Sequence, residues 1–480
     1  MPVVRANRIA LLALITAQLL FLGFHLVYGR FLGWDEMGYK AVGRGWATTG
    51  HWTAPELEGA YWPLSWHCRP PAPPLYSLAF GIYVRIFGLS FRTNAMFDAL
   101  IQVALSWIVF AVARTLDRDG PSWPAAVAAI AILPLGNPGR PEAMGMTLGF
   151  LGWLAAKRAT TAKHWLAAGL LEGLAATTSV ASGFFIGLLV LLRRNRIRDT
   201  AVWMAAAAAV FLPIMLILDW HTLHSAGSGM GTMAAAAASR SLKWLIEAFQ
   251  FGRTAGWAEI AMLVPIALAG WKWKQRSLWL VPVAIQLAIP LLFPREFYYI
   301  WIMAPVMLGI TMIVIERSPR RWPALLALPI YLFAISRVLL LHAALVTLPP
   351  DQRIDANVKL IHSIIPRTST IMTYDYWPAL GNEYRLYSTD ARPDWQTVDY
   401  IVLTGNGSGA PGKRQLLPDD RDLHAQREYT IVADRLNREP FHLGPIHTHS
   451  AYGFGPMILR RIRQPGQSNE SAHVQTTCYP

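Results

Sequence analysis

Long apolar runs separated by short polar stretches dominate residues 1–349 of the chain. The first run, 9–28, reaches the length of about 20 residues that a helix needs to cross a bilayer. Further apolar runs follow at 95–113, 123–135, 143–156, 165–177, 181–192, 199–218, 258–271, 278–293, 300–315 and 322–341. The pattern predicts about eleven membrane-crossing helices. Shorter stretches at 75–87 and 242–251 are predicted to be surface helices.

Basic residues give these crossings an orientation. Arg5 and Arg8 precede the first run, and the stretch 193–198 between two later runs reads RRNRIR. Short loops rich in Lys and Arg remain on the cytoplasmic side of a membrane. We therefore expect a cytoplasmic N-terminus, and we expect the segment 30–74, which follows the first run, to lie outside.

The pattern changes at residue 350, where long apolar runs give way to short ones. A helical stretch at 353–365 opens the new segment. Short strand-like runs follow, separated by Gly, Pro, Asn and Asp, at 370–374, 400–404, 429–433 and 457–460. This pattern predicts a small α/β domain over 350–464, outside the membrane, and a disordered tail over 465–480. The expected fold class is a polytopic α-helical membrane protein, with its membrane domain over 1–349 and a C-terminal α/β extracytoplasmic domain.

The amino-acid composition agrees with a membrane domain followed by a polar domain, and it argues against other classes of protein. Of the 480 residues, 54% are hydrophobic and 15% are charged, which is typical of a membrane protein and not of a soluble enzyme. The net charge of +14 does not indicate nucleic-acid binding, because most basic residues lie in short loops between apolar runs. Cys68 and Cys478 lack metal-site spacing, and whether they pair is left open.

Two adjacent carboxylates, Asp35 and Glu36, follow directly after the first apolar run. Carboxylates are costly near hydrocarbon, so a pair at the membrane boundary indicates a functional site. The alternative is that both residues simply form the solvated end of a helix. The other unusual polar clusters fall on the same predicted side of the membrane, which favours the functional interpretation.

These outer-side clusters combine the residue types that a site for an anionic head group requires. They comprise His67, Arg69, Arg140, Glu142, Arg295 and Tyr298. Arginine makes bidentate contacts to phosphate and keeps its charge, and a carboxylate in such a site can act as a general base. The alternatives stay open: the Arg–Glu pairs also fit ordinary charged residues at the membrane interface, and Tyr298 also fits the belt of aromatic residues found there.

Three motifs in this chain resemble the first external loop of the GT-C membrane glycosyltransferases. They are Asp35-Glu36 with Tyr39, the stretch 67–76 (HCRPPAPPLY), and the stretch 87–90 (FGLS). The similarity is greatest to the protein-O-mannosyltransferase-like and aminoarabinose-transferase-like branch. The turn 139–142 resembles the next external loop of that group, and the stretch 294–305 resembles one of its late spans.

The resemblance implies a sugar donor linked to polyprenyl phosphate, with Asp35 as the catalytic base and inversion at the anomeric carbon. It implies that Glu36 positions the donor or the acceptor, and that Arg69, Arg140 and Arg295 are candidates for the donor phosphate. The acceptor would be a periplasmic glycan, lipid or protein. A doubled Pro pair after Arg69 leaves open whether His67 or Arg69 takes the basic position of the family.

The resemblance also departs from the family at 177–179, where the chain has Thr-Thr-Ser and many relatives carry a Lys. This places donor contacts from that loop in doubt. No cofactor is expected beyond the lipid-linked donor, and the acids are too few to decide whether a divalent metal is needed.

The function expected from the sequence is therefore that of a glycosyltransferase in the bacterial inner membrane. Two other classes compete with it: a transporter or flippase for a lipid-linked substrate, and a non-catalytic envelope assembly protein. Against transport, the charges gather at one face and the chain shows no paired broken helices or internal repeat.

Overall fold

The structure is a computed structural model that describes a large part of the chain. The described residues are 2–30, 32, 36–57, 73–135, 139–191, 196–218, 284, 302–317, 335–336, 338–389, 391, 397–404, 428–436, 440–443, 446–451 and 453–462. The chain divides into two compact units. We call the first, made of 1–24, 73–76 and 98–338, the helical unit. We call the second, made of 25–72, 77–97 and 339–480, the mixed unit.

Helices occupy most of the described residues up to 317. They are α1 (Pro2–Tyr28), α2 (Glu36–Thr49), α3 (Pro74–Phe87), α4 (Phe91–Leu116), α5 (Trp123–Leu135), α6 (Glu142–Arg158), α7 (Ala162–Thr178), α8 (Val180–Leu191), α9 (Ile197–Leu218) and α10 (Ala304–Arg317). Helices are thereby confirmed at each predicted run in this range that the structure describes. The predictions at 242–251, 258–271 and 278–293 lie outside the described residues.

Among the described residues, three helices are long and apolar enough to cross a membrane: Ala6–Tyr28 within α1, the whole of α4, and α9. The helices α3, α5 and α8 are apolar but shorter, as is α11 (Val338–Thr347). These helices support a membrane protein, while the total of about eleven crossings remains a prediction.

Within the helical unit, α7 and α9 pack with their backbones almost in contact. A Cβ atom added to Gly169 would lie 2.3 Å from the carbonyl oxygen of Trp203, and one on Gly173 would lie 2.6 Å from that of Ala207. Between helices in lipid there is little hydrophobic driving force, so close packing of small residues holds them together. The Gly-x-x-x-Gly spacing on α7 therefore marks the face that packs on α9.

A chain of polar side chains links α1, α4 and α5 within the same unit. Gln18 Nε2 donates to Ser106 Oγ at 3.1 Å, and Ser106 Oγ donates to the carbonyl oxygen of Ala129 at 2.7 Å. Each of these polar side chains is buried. At membrane depth a polar group needs a protein partner, so this chain of hydrogen bonds fixes the lateral position of the three helices.

In the described part of the mixed unit, the strands form two sheets and lie beyond residue 369. The strands are β1 (Thr370–Thr373), β2 (Arg385–Tyr387), β3 (Tyr400–Leu403), β4 (Tyr429–Asp434), β5 (Pro440–Leu443), β6 (Ile446–Ala451) and β7 (Met457–Arg461). The main sheet has the order β2-β1-β3-β7-β4, and β5 pairs with β6. β1 is parallel to both β2 and β3, whereas β7 runs antiparallel to β3 and β4. The helices α12 (Ile354–Ile364) and α13 (Trp377–Leu380) belong to the same segment.

The mixed unit also contains α2, which the sequence analysis did not predict. Its sequence, EMGYKAVGRGWATT, has several glycines inside the helix. The glycines are used for packing: a Cβ atom on Gly43 would lie 2.0 Å from the carbonyl oxygen of Ser77 in α3, and one on Gly81 would lie 2.5 Å from the carbonyl oxygen of Gly43. Ser77 Oγ also donates to the carbonyl oxygen of Tyr39 at 2.7 Å. Tertiary contact with α3 thus stabilises a helix of weak intrinsic propensity.

Candidate active site

Glu36 is the first residue of α2 and directly follows Asp35, which lies outside the described residues. Its side chain is completely buried. An acidic residue in the first turn of a helix interacts favourably with the helix dipole. Burial of an ionised carboxylate nevertheless requires cationic and hydrogen-bonding partners.

Three side chains from separate positions in the chain provide those partners. Arg30 Nη2 and Lys40 Nζ each lie 2.6 Å from Glu36 Oε1, and Asn94 Nδ2 lies 2.9 Å from the same oxygen. Lys40 Nζ also donates to Asn94 Oδ1 at 2.8 Å. We call these four residues the Glu36 cluster. It joins the segment before α2, the first turns of α2 and the start of α4.

Lys40 occupies an unusual position for a lysine because it has no solvent-exposed surface at all. Besides its two polar partners, its Nζ atom lies 5.0 Å from the ring centroid of Phe80 and 5.5 Å from that of Phe97. Both distances fall within the range of cation–π attraction. The Glu36–Lys40 spacing of four residues places the two side chains on one face of α2.

The charges of the cluster favour an ionised Glu36. Burial, the largest influence, raises the pKa of this carboxyl, but the charges and hydrogen bonds of Arg30 and Lys40 outweigh burial and lower the pKa to about 2. Glu36 is therefore a permanent anion above acidic pH. A carboxylate with such a low pKa is a poor proton acceptor, so its chemistry is to bind and orient rather than to act as a base.

The turn after β1 places two further polar groups beside the start of α2. The backbone N–H of Met37 donates to the hydroxyl oxygen of Tyr374 at 3.4 Å. The next residue, Asp375, is buried and accepts a hydrogen bond from the hydroxyl of Thr404, which follows β3. Burial, and after it the charge of Glu36, raises the pKa of Asp375 to about 7.

The predicted pair Arg140–Glu142 is a buried local ion pair at the start of α6. Arg140 Nε lies 3.2 Å from Glu142 Oε2, and Arg140 Nη2 lies 3.4 Å from Glu142 Oε1. The turn before the helix is made by Gly139, whose φ of 85° is readily adopted only by glycine. In this geometry Glu142 engages one edge of the guanidinium, the edge that arginine also offers to phosphate.

The other predicted site residues, Asp35, His67, Arg69, Arg295 and Tyr298, lie outside the described residues. Sequence reasoning missed Arg30, Lys40 and Asn94 of the cluster. One signal was present for Lys40, since a Glu and a Lys four residues apart pair on a helix. Arg30 and Asn94 had no local signal, because their contacts with Glu36 depend on the tertiary fold. Within the described parts of the chain, no group of three or more His, Cys, Asp or Glu side chains is arranged to hold a metal ion.

Comparison with solved structures gives the fold. Two crystal structures of ArnT from Cupriavidus metallidurans, apo and bound to undecaprenyl phosphate, match with TM-scores of 0.56 and 0.54. Each match has 13% sequence identity and covers 94% of this chain and 98% of ArnT. The apo Archaeoglobus fulgidus oligosaccharyltransferase matches with a TM-score of 0.48 and 13% identity, over 82% of this chain and 69% of that one.

No protein-family model matches the sequence, and no curated protein matches it either. The structural similarity to ArnT confirms the predicted GT-C fold, which is the fold of polytopic membrane glycosyltransferases.

Proposed function

We propose that this protein is a membrane glycosyltransferase that moves a sugar from a polyprenyl-phosphate donor to an acceptor outside the cytoplasm. The acceptor is a glycan, a lipid or a protein of the cell envelope, and the membrane is the bacterial inner membrane. The observation that carries the proposal is the GT-C fold combined with a buried charge cluster at the residue that follows Asp35. The ArnT structure with bound undecaprenyl phosphate shows that this fold binds such a lipid in that protein.

Asp35 is the proposed base of the reaction. It takes the proton from an acceptor hydroxyl or amine, which attacks the anomeric carbon of the donor sugar. The bond between that carbon and the phosphate oxygen breaks, and polyprenyl phosphate leaves as an anion. Attack opposite the leaving group inverts the anomeric configuration. The base gains from being fixed in place, since correct positioning lowers the barrier by several kcal/mol.

Glu36 supplies that fixed position in this proposal. Its carboxylate is held by Arg30, Lys40 and Asn94, so the first turn of α2 has one well-defined location. Asp35 is joined to this anchored residue by a peptide bond. Because Glu36 is charge-compensated and has a pKa of about 2, we assign the base role to Asp35 and the positioning role to Glu36.

The leaving phosphate requires fixed positive charge in the transition state. Arg69, Arg140 and Arg295 remain the candidates for that contact, with His67 as an alternative to Arg69. Glu142 and Tyr298 are assigned to the same substrate-binding region. For Arg140, the pair with Glu142 occupies the Nε–Nη2 edge and fixes the plane of the guanidinium, so a donor phosphate would meet the other edge of a preoriented group.

The test is a turnover assay on the purified full-length protein in lipid vesicles. A panel of polyprenyl phosphates carrying different hexoses and pentoses is supplied, and release of free polyprenyl phosphate is measured. We expect release with one donor, increasing when the correct acceptor is added. Binding of donors without any release would contradict the proposal.

The same vesicles separate the competing classes. A flippase moves a labelled lipid-linked sugar from one leaflet to the other without releasing polyprenyl phosphate. An assembly protein neither releases nor translocates it. Translocation without release would favour transport, and neither activity with any donor of the panel would favour an assembly role.

A further inference from the structure

A small cavity lies in the mixed unit, where α2, the short turn Pro55–Leu57 and strand β2 meet. Its volume is about 240 Å³. Pockets for drug-sized ligands begin at about 300 Å³, so this cavity suits one small ring with its substituents. Charged and aromatic side chains contribute to its lining, namely Arg44, Glu56, Tyr384, Arg385 and Tyr387.

Two of the lining residues form a buried ion pair that has unused hydrogen-bonding capacity. Arg44 pairs with Oε1 of Glu56 and also donates to the carbonyl oxygen of Gly381. Glu56 is only 2% exposed, and within the described part of the chain its Oε2 atom and the Nε atom of Arg44 have no hydrogen-bond partner. Buried polar atoms without a partner are rare in folded proteins. Two of them in residues that line one cavity indicate that a polar ligand binds there.

The β2 side of the cavity carries an arginine that is already oriented. Arg385 and Tyr387 are two residues apart on β2, so they project from the same face of that strand. Arg385 Nη2 donates to the Tyr387 hydroxyl at 2.9 Å, and the guanidinium carbon lies 5.5 Å from the centre of the Tyr387 ring. Among the described residues, Arg385 forms no ion pair with a carboxylate. Because the pair of Arg44 and Glu56 is neutral overall, Arg385 gives the lining a net positive charge.

These properties define the class of ligand. The rings of Tyr384 and Tyr387 offer apolar surface with a polar edge, which fits the carbon-bearing face of a sugar ring. The unpaired atoms of Arg44 and Glu56 match sugar hydroxyl groups. The guanidinium of Arg385 matches a carboxylate or a phosphate, to which arginine binds with two parallel hydrogen bonds. A sugar residue with an acidic substituent combines all of these features.

We propose that this cavity is a subsite for an acidic sugar residue of the acceptor, one whose ring carries a carboxylate or a phosphate group. Arg44 follows Glu36 by eight residues of α2, which places it about 12 Å further along the helix axis. A hydroxyl that reacts at Asp35 and a sugar bound in the cavity would thus belong to one acceptor, separated by a short stretch of it. The acceptor role rests on the proposed function, whereas the binding of an acidic sugar by the cavity does not.

The first test measures binding without any reaction. The purified full-length protein in lipid nanodiscs is titrated with glucuronic acid, glucose 6-phosphate and glucose, and the heat of binding is recorded. We expect at least one acidic sugar to bind about tenfold or more tightly than glucose, and the two acidic sugars distinguish a carboxylate from a phosphate. Acetate and inorganic phosphate test whether the ring is needed. No binding of an acidic sugar, equal binding of glucose, or equal binding of the ring-free anion overturns the proposal.

The variant Arg385→Gln tests whether this binding takes place in the cavity. Arg385 is exposed, so its replacement removes the charge without disturbing the core. We expect the acidic sugar to bind this variant about tenfold or more weakly, close to the affinity of glucose. The matched control is Arg460→Gln, since Arg460 is exposed on β7 of the same sheet and does not line the cavity. Wild-type binding by Arg385→Gln, or an equal loss in both variants, overturns the site.

The second test addresses the acceptor role. Turnover is measured with the donor identified for the wild type and with acceptor oligosaccharides that contain or lack an acidic residue. We expect Arg385→Gln to raise the KM for the acidic acceptor about tenfold, while kcat and the KM for the donor stay near wild type. An unchanged acceptor KM in a variant that has lost acidic-sugar binding overturns the acceptor role. Binding of an acidic sugar by a protein that transfers no sugar would reject the proposed function and support the cavity as a binding site.

Discussion

Two helices of this protein begin with a buried glutamate paired to an arginine that precedes it, and the two pairs are built differently. At the start of α6, Glu142 binds Arg140, only two residues upstream. At the start of α2, Glu36 binds Arg30, Lys40 and Asn94. The first pair requires only a turn, whereas the second requires that α2, α4 and the preceding segment be assembled. A local pair fixes one helix end, while a cluster of this kind fixes the relation between elements.

The charged groups at the two helix starts also differ in how they can contribute to a reaction. The charge of Arg140 is paired with the Glu142 carboxylate, and this pairing orients the guanidinium plane. The Glu36 cluster contains two cations and one carboxylate and excludes water completely from Glu36 and Lys40. In such surroundings electrostatic interactions are stronger than at an exposed site, so removal of one member of the cluster is costly.

The largest effect on the stability of the fold is expected for Glu36→Gln. The substitution removes the carboxylate that Arg30 and Lys40 both contact, and the loss of these two buried ion pairs costs about 3–5 kcal/mol of stability. The pH dependence gives a second signature: the lowered pKa of Glu36 stabilises the fold above its ordinary pKa of 4.5, and this contribution is lost as the pH falls towards 2. Thermal unfolding in detergent as a function of pH measures both.

The matched control for this experiment is Glu142→Gln, which breaks one buried ion pair, that with Arg140. We expect a smaller loss of stability than in Glu36→Gln. An equal or larger loss for Glu142→Gln would mean that the Glu36 cluster is no stronger than a local pair.

An intermediate loss of stability is expected for Lys40→Met. Methionine has a similar shape and can keep the contacts with Phe80 and Phe97, so the change removes mainly the ammonium group. Glu36 retains Arg30 and Asn94, and we expect a loss of about 2 kcal/mol. Unfolding in denaturant measures it, and a gain in stability would show that the buried ammonium is a net cost.

The smallest effect is expected for Arg140→Lys. Lysine keeps the charge but has no guanidinium fork, so the bidentate contact to Glu142 becomes a single one, at a cost of about 1 kcal/mol. If Arg140 binds the donor phosphate, the KM for the donor rises while kcat changes little. Arg158→Lys, at an exposed arginine, serves as the control. An unchanged KM for the donor would show that Arg140 does not bind the donor phosphate.

The same contrast between local and assembled features explains what the sequence could predict. The bounds of α5 matched the predicted run at 123–135, and the strands β1, β3, β4 and β7 lie within one residue of their predicted runs. These elements follow from hydrophobic patterns that are local in the chain. In the same way, the Asp-Glu motif and the Arg140–Glu142 pair are visible as neighbours in sequence.

The parts that were missed depend on contacts between remote segments. The helix α2 has glycines where a strong helix former would be expected, and it forms because Gly43 and Gly81 let α2 and α3 approach closely. Arg30 and Asn94 join the site only because tertiary packing brings them to Glu36. Asp375 lies hundreds of residues from Glu36 in sequence, and the hydrophobic pattern of β1 contains no information about which helix its carboxyl end meets.

The most direct test of the central claim is the turnover of Asp35→Asn with the donor identified for the wild type. The substitution keeps the size of the side chain but removes the proposed base, next to an intact Glu36 cluster. The account predicts donor binding close to wild type, and a rate of polyprenyl phosphate release at least about 100-fold lower. The exposed Asp119→Asn is the control and retains full activity. Release at the wild-type rate by Asp35→Asn would contradict the account.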